Sequence, residues 1–200
     1  MKKLNFILIA LTAILLIWVV SHLYQSKAKQ TQIIGPYPNV KGGGFTLNSN
    51  KGKVSLSDFK GKVVLVYFGY TWCPDVCPTN LSLMANALSQ LNAKELNNVQ
   101  GIFISVDPGR DTLEKLETYS QYFHPNIIGL TASNKEISDI AKKFGVSYRI
   151  VKQEKSATEY VVDHSSVTYI VGKDNQLVEI LPHATDSETI LSKIRFYLQK

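Results

Sequence analysis

Residues 62–78 read KVVLVYFGYTWCPDVCP, and the run TNLSLMANALSQLNAKEL follows them at 79–96. The first nine residues are β-branched or aromatic on both faces, which predicts a central strand buried on both sides. In the second run Leu81, Met84, Ala85, Leu88 and Leu91 recur at the spacing of one helix face. Pro78 fits a first helical turn, where its missing N–H costs nothing. A buried strand feeding a helix opens a βαβ unit, and the junction carries Cys73 and Cys77, the only 2 cysteines in the chain. The C-terminal end of a sheet strand is where ligands and reactive groups collect in open α/β folds.

Working outward, the pattern repeats. VQGIFISVD (99–107) predicts a strand, GRDTLEKLETYSQYF a helix, IIGLTA a short strand, and NKEISDIAKKFG a helix stopped by Gly145. Upstream, FTLNSNKGKVSLSDF has short alternating runs around Asn50-Lys51-Gly52 and predicts a hairpin. Downstream, VSYRIVKQ, EYVVDHSSVTYIVG and QLVEIL read as strands, with a turn at Lys173-Asp174-Asn175, and SETILSKIRFYL as a closing amphipathic helix. The expected architecture is an α/β fold with a mixed sheet flanked by helices. The order β-α-β-α-β-β-α matches a thioredoxin-like core with insertions.

The N-terminus places that domain. After Met1-Lys2-Lys3, residues 4–23 (LNFILIALTAILLIWVVSHL) are close to the ~20 residues that cross a hydrocarbon core as a helix. Trp18 and Tyr24 stand where interfacial aromatics are common. An uncleaved anchor over residues 1–25 is expected, ahead of a polar tether at 26–35 and a domain at 36–200. SKA at 26–28 offers a cleavage site for the rival signal-peptide reading, but the apolar run lies well upstream of it. Lys2 and Lys3 favour the cytoplasm, so the domain is expected in the periplasm of a bacterium, on a single-pass inner-membrane helix. A formal charge of +6 comes from scattered lysines, with no Arg-rich stripe, and this argues against nucleic acid as a partner.

In an oxidising compartment an exported cysteine pair forms a disulfide unless something keeps it reduced or occupied. A structural staple closing so short a loop constrains the unfolded chain very little. A helix N-terminus stabilises a thiolate and lowers its pKa, which favours redox or metal work. The spacing is C-x-x-x-C, one residue longer than the usual redox motif, and on an i, i+4 spacing the sulfurs converge on one face. A pair of thiolates is an incomplete metal site, and imidazole is the usual companion. Of the 4 histidines, His22 belongs to the membrane end, and His124 and His183 follow or precede prolines at element ends, where surface roles are ordinary. His164, in VVDHSSVTYIV, stands between two apolar β runs on a stretch expected beside the cysteine-bearing strand, and is the candidate third ligand.

The segments GGGFTL, GKVVLVYFGYTWCPDVCPTNL, ISVDPGRDT and VVDHSS resemble, in order and spacing, those of the Sco/SenC family, over residues 36–200. That resemblance implies a membrane-anchored copper protein that assists assembly of cytochrome c oxidase. It implies copper ligation by Cys73, Cys77 and His164, with Asp107, Arg110 and Asp111 as loop-ordering groups near the site. The implied recipient is the dinuclear copper centre of oxidase subunit II. Two soft thiolates and one imidazole suit Cu(I), with Cu(II) left open, whereas zinc normally wants a fourth ligand. The thiols must be reduced before they bind metal, which implies a periplasmic thiol reductant, and ligand exchange implies an exposed site.

Two rivals remain at this level. A thiol–disulfide oxidoreductase, cycling a redox disulfide between Cys73 and Cys77, would keep the oxidase copper-site cysteines reduced. Its kind usually carries a proline where this chain has His164-Ser165-Ser166-Val167. A peroxidase would use Cys77 as nucleophile, but the expected threonine three residues before it is Pro74.

Overall fold

The computed structural model describes residues 40–152 and 160–200, with Leu15 and Trp18 of the N-terminal segment. The chain divides into two units, Met1–Ile33 and Ile34–Lys200. Leu15 and Trp18 are helical and exposed. The rest of the expected span at 4–23 lies outside the described residues, and among those described no helix is long and apolar enough to cross a membrane.

The second unit is built on a five-stranded sheet. β1 (Thr46–Ser49) and β2 (Gly52–Ser55) form the expected hairpin, separate from it. β3 (Val63–Gly69) is buried along its whole length, as is β4 (Val99–Ser105), and the two run parallel in register Val63↔Val99. β5 (Ile127–Leu130) adds parallel to β4. β8 (Thr168–Val171) adds antiparallel on the other side of β3, and β9 (Leu177–Leu181) follows, giving the order β5-β4-β3-β8-β9. β3 is therefore central, as its double-sided apolar sequence requires.

Four longer helices flank the sheet: α1 (Val76–Ser89), α2 (Leu113–Phe123), α3 (Asn134–Lys143) and α4 (Ser187–Gln199). On α1, Leu81, Met84 and Leu88 are fully buried, each contributing about 1.5–3 kcal/mol. Thr112, Ser133 and Asp186 cap α2, α3 and α4 through their side chains. Gly145, at φ +64°, ends α3 in the left-handed conformation that glycine adopts without strain.

Two expectations need correction. The helical run at 79–96 is broken after Ser89. Asn92 and Glu95 form a reciprocal capping box that starts a separate short helix, Ala93–Leu96. The stretch EYVVDHSSVTYIVG is not one strand beside β3 either. Its first half, β7 (Tyr160–His164), pairs with β6 (Tyr148–Lys152) in a two-stranded ribbon outside the main sheet, and only β8 reaches β3. Ser165 makes the break: its N–H donates to the Ser147 carbonyl at 2.9 Å and its Oγ accepts from the Ser147 N–H at 3.0 Å. The chain is thereby closed onto the ribbon before it turns into the sheet.

Candidate metal centre

β3 ends at Gly69, and the chain then loops through Tyr70 to Asp75 before α1 begins. The N-cap residue Asp75 makes no side-chain capping bond. Instead the backbone N–H of Cys77, in the first turn, donates to the Cys73 sulfur at 3.5 Å. Cys73 thus lies on the loop rather than on the helix face, and its sulfur takes the place of a capping oxygen. Cys77 is fully buried, and Cys73 retains 8% of its surface.

His164, the last residue of β7, brings the third atom. Its Nε2 lies 3.2 Å from the Cys77 sulfur, and Nδ1 is 3.0 Å from the Ser165 carbonyl. A carbonyl only accepts, so Nδ1 carries the proton and Nε2 turns a lone pair toward the sulfurs. That second hydrogen bond is the usual way a protein fixes the tautomer of a ligating imidazole. Tyr67 and Tyr70 meet the ring at 82° and 86°, with centroids 6.2 and 5.8 Å away, and fix its plane. The ligand atoms of Cys73, Cys77 and His164 lie within 4.8 Å of one another. Metal–sulfur bonds of about 2.3 Å and metal–nitrogen bonds of about 2.0 Å place trigonal ligands roughly 4 Å apart, so the trio fits one ion with little movement.

The electrostatics divide the two thiols. The Cys73 thiol is pushed down to about 4, first by a hydrogen bond from Cys77 and then by the backbone N–H groups of Asp75 and Cys77, against the opposing effect of burial. Burial pushes Cys77 the other way, reinforced by its hydrogen bond to Cys73 and by the negative charge there. Both directions favour negative charge on Cys73 and the proton on Cys77.

The loop after β4 orders both ligand-bearing segments, as expected of Asp107, Arg110 and Asp111. Asp111, buried, accepts from the Thr71 N–H at 3.0 Å, the Thr71 hydroxyl at 2.6 Å and the Ser105 hydroxyl at 2.6 Å. That pins the start of the cysteine loop to the end of β4. Asp107 accepts from Arg110 Nε at 2.6 Å and from the Tyr160 hydroxyl at 2.8 Å. The Arg110 guanidinium lies 3.6 Å from the Tyr160 ring centroid and donates to the Tyr160 carbonyl at 3.0 Å. Tyr160 begins β7, so the same loop anchors the strand that ends in His164.

His124 and His183 stay outside the trio. His124 Nδ1 accepts from the Asn126 N–H at 3.0 Å, and His183 Nδ1 faces the Asn80 amide at 2.8 Å. His22 lies outside the described residues. The centre is more recessed than the expected exposed site, because both cysteines sit among core residues. Gly69 is a site residue that sequence reasoning missed. A Cβ there would stand 2.6 Å from the Cys77 sulfur, so only glycine lets the sulfur lie against β3. The signal was available, since a lone glycine inside a strand marks a close approach.

A family model described as SCO1/SenC matches residues 35–199. The chain belongs to the SCO1/SenC family. A curated SCO2-like protein of Rickettsia conorii is 40% identical over 143 residues, covering 70% of this chain and 69% of that one. Against longer curated family members the chain spans only 53% to 60% of their length. Among solved Sco structures, Bradyrhizobium japonicum ScoI with copper bound is 34% identical with a TM-score of 0.71, over 78% of this chain and 99% of that one. BsSco, described as having a disulfide switch and as a member of the Sco family of cytochrome c oxidase assembly proteins, is 28% identical with a TM-score of 0.62, over 84% of this chain and 99% of that one. These likenesses bear out the thioredoxin-like Sco fold.

Proposed function

We propose that this protein is a copper metallochaperone. It holds copper through Cys73, Cys77 and His164 and supplies it to the copper centre of cytochrome c oxidase subunit II. One observation carries the reading: two cysteine sulfurs and an imidazole nitrogen converge within 4.8 Å, with the imidazole already in the ligating tautomer. The donor set is soft and three-fold, which suits Cu(I). Copper in Bradyrhizobium japonicum ScoI and the oxidase-assembly role given for BsSco support it.

On this reading residues 1–25 anchor the protein in the bacterial inner membrane, 26–35 form a tether, and 36–200 work in the periplasm. The same reading puts the copper-receiving oxidase domain on that side, with a periplasmic thiol reductant keeping the pair open for metal. Alkaline extraction of membranes tests the anchor: the full chain should stay with the lipid and a chain lacking residues 1–25 should not.

The ligand assignment is tested by anaerobic titration of the reduced protein with Cu(I), beside Cys73→Ser, Cys77→Ser and His164→Ala. One tightly held copper is expected, weakened at least 100-fold by each change. Wild-type affinity in His164→Ala would sink the assignment.

The acidic thiol of Cys73 favours a second reading, a thiol–disulfide oxidoreductase. The Cys73 thiolate attacks a disulfide of the recipient and releases one thiolate. Cys77 then loses its proton and attacks the mixed disulfide, leaving a Cys73–Cys77 disulfide and a second recipient thiol. Reduction of an oxidised recipient by the metal-free protein, at a rate unchanged in His164→Ala, would favour this reading over delivery.

A further inference from the structure

Beside the cysteine loop lies an open groove of about 560 Å³ that no step of the metal chemistry uses. Its walls are Thr71 and Trp72 on one side and Glu114, Lys115, Thr118, Tyr119 and Tyr122 of α2 on the other. Trp72, the residue before Cys73, is 50% exposed, and Tyr122 is 83% exposed. Large aromatics so open to water on a folded domain mark contact surfaces when they cluster. These two are built in rather than loose. Lys115 lies 5.8 Å from the Trp72 ring centroid and donates to the Arg110 carbonyl at 3.3 Å. Tyr122 stands edge-on to Phe123 at 5.4 Å, and Phe123 to Tyr119 at 5.2 Å. Tyr119 packs on Phe103, which stacks on Tyr67 beside the His164 ring. The groove wall and the metal centre therefore share one continuous aromatic layer.

We infer that this groove is the docking surface for the copper-exchanging partner, and that it takes an extended loop whose sulfur ligands are flanked by apolar or thioether side chains. The inference rests on the delivery reading above and extends it to the surface that performs the exchange. Continuity with the centre argues for this occupant. A partner that removes a metal from Cys73 and Cys77 must bring its own ligands to sulfurs that are almost wholly buried. Cys73 is the more accessible sulfur, and Trp72 is its covalent neighbour. A loop seated between Trp72 and Tyr122 thus lies alongside the point of entry. Aromatic rings and threonine methyls line the groove beside the charged Glu114 and Lys115, and thioethers make favourable contacts with ring edges.

The test uses the full chain in detergent micelles, loaded with Cu(I), and the reduced soluble domain of oxidase subunit II from the same organism. Trp72→Ala, Tyr122→Ala and the double variant are compared with the wild type. All three are expected to keep Cu(I) affinity within about twofold. The double variant should bind the subunit II domain at least tenfold more weakly and transfer copper at least tenfold more slowly, and Trp72→Phe should restore most of both. Undiminished binding and transfer in the double variant would overturn the groove. So would a Trp72-dependent dimer of this chain. Should the wild type deliver no copper yet reduce the oxidised domain, with that reduction lost in the double variant, the groove stands and the delivery reading falls. No binding of the domain by the wild type in any redox state overturns both.

Discussion

A thiol at the head of a helix accepts a hydrogen bond poorly, and a thiolate accepts one well, so the Cys77 N–H aimed at Cys73 favours the ionised sulfur. The Cys73 pKa of about 4 makes this measurable. In the reduced, metal-free protein, iodoacetamide should modify Cys73 with a pH midpoint near 4 rather than the ordinary ~8.5. Cys77 should stay unmodified until the protein unfolds. A Cys73 midpoint near 8.5 would refute the assignment. The sign for stability follows: the folded pKa lies below the unfolded one, so the contribution from Cys73 is present above about 8.5 and drains away as pH falls toward about 4. Gly69 acts at the same scale. Gly69→Ala places a methyl 2.6 Å from the Cys77 sulfur and within 3.0 Å of the buried Phe103 ring, so the sulfur or the strand must shift. Cu(I) affinity should drop at least tenfold, at a cost of about 1–3 kcal/mol in stability from overpacking. Metal competition and urea unfolding measure the two, and unchanged affinity would show that the sulfur has room.

Each proposed ligand belongs to a different element: Cys73 to a loop, Cys77 to α1, His164 to the β6–β7 ribbon. The ribbon does not pair with the main sheet, so its position depends on Val162, Tyr148 and Tyr160 packed against the core and on the polar contacts at its root. Tyr160→Phe tests this, because it keeps the ring under the Arg110 guanidinium while removing the 2.8 Å hydrogen bond to Asp107. It should cost about 1 kcal/mol in global stability and speed Cu(I) release roughly fivefold to tenfold in chelator competition. Release at the wild-type rate would mean the ribbon is held by other contacts. This dependence also explains what the sequence could disclose. The double-sided apolar run 62–70, the helix stripe from Leu81 to Leu91 and the spacing of the cysteines were legible because each is a local pattern of burial. His164 was legible as a candidate because a soft pair lacked a partner. That EYVVDHSSVTYIVG splits between two sheets was not legible, since both halves alternate alike and the decision lies in the Ser147–Ser165 contacts, which bridge residues far apart in the chain. The recessed placement of the sulfurs escaped for the same reason: it depends on Gly69 and on packing from β3.

At the scale of the whole molecule, a metal held by these three residues is a cross-link between the ribbon and the cysteine loop with the start of α1. Binding that occurs only in the folded state stabilises it by RT ln(1 + [L]/Kd), about 4 kcal/mol at a free metal concentration of 1,000 Kd. The gain should not spread evenly. β3, β4 and β8 are buried already, and their amides open only with global unfolding, so copper should slow their exchange by the global factor alone. The ribbon, with a half-exposed face on β6, is the part able to open by itself. In hydrogen exchange of the reduced protein, Cu(I) should therefore protect residues 148–152 and 160–165 most, together with the loop 70–77. His164→Ala should abolish the ribbon's extra protection while leaving that of the cysteine loop partly in place, because the two sulfurs still share the ion. Equal protection of the ribbon in wild type and His164→Ala would mean that the imidazole does not tie the ribbon to the cysteine loop, and that the ion is held from that loop alone.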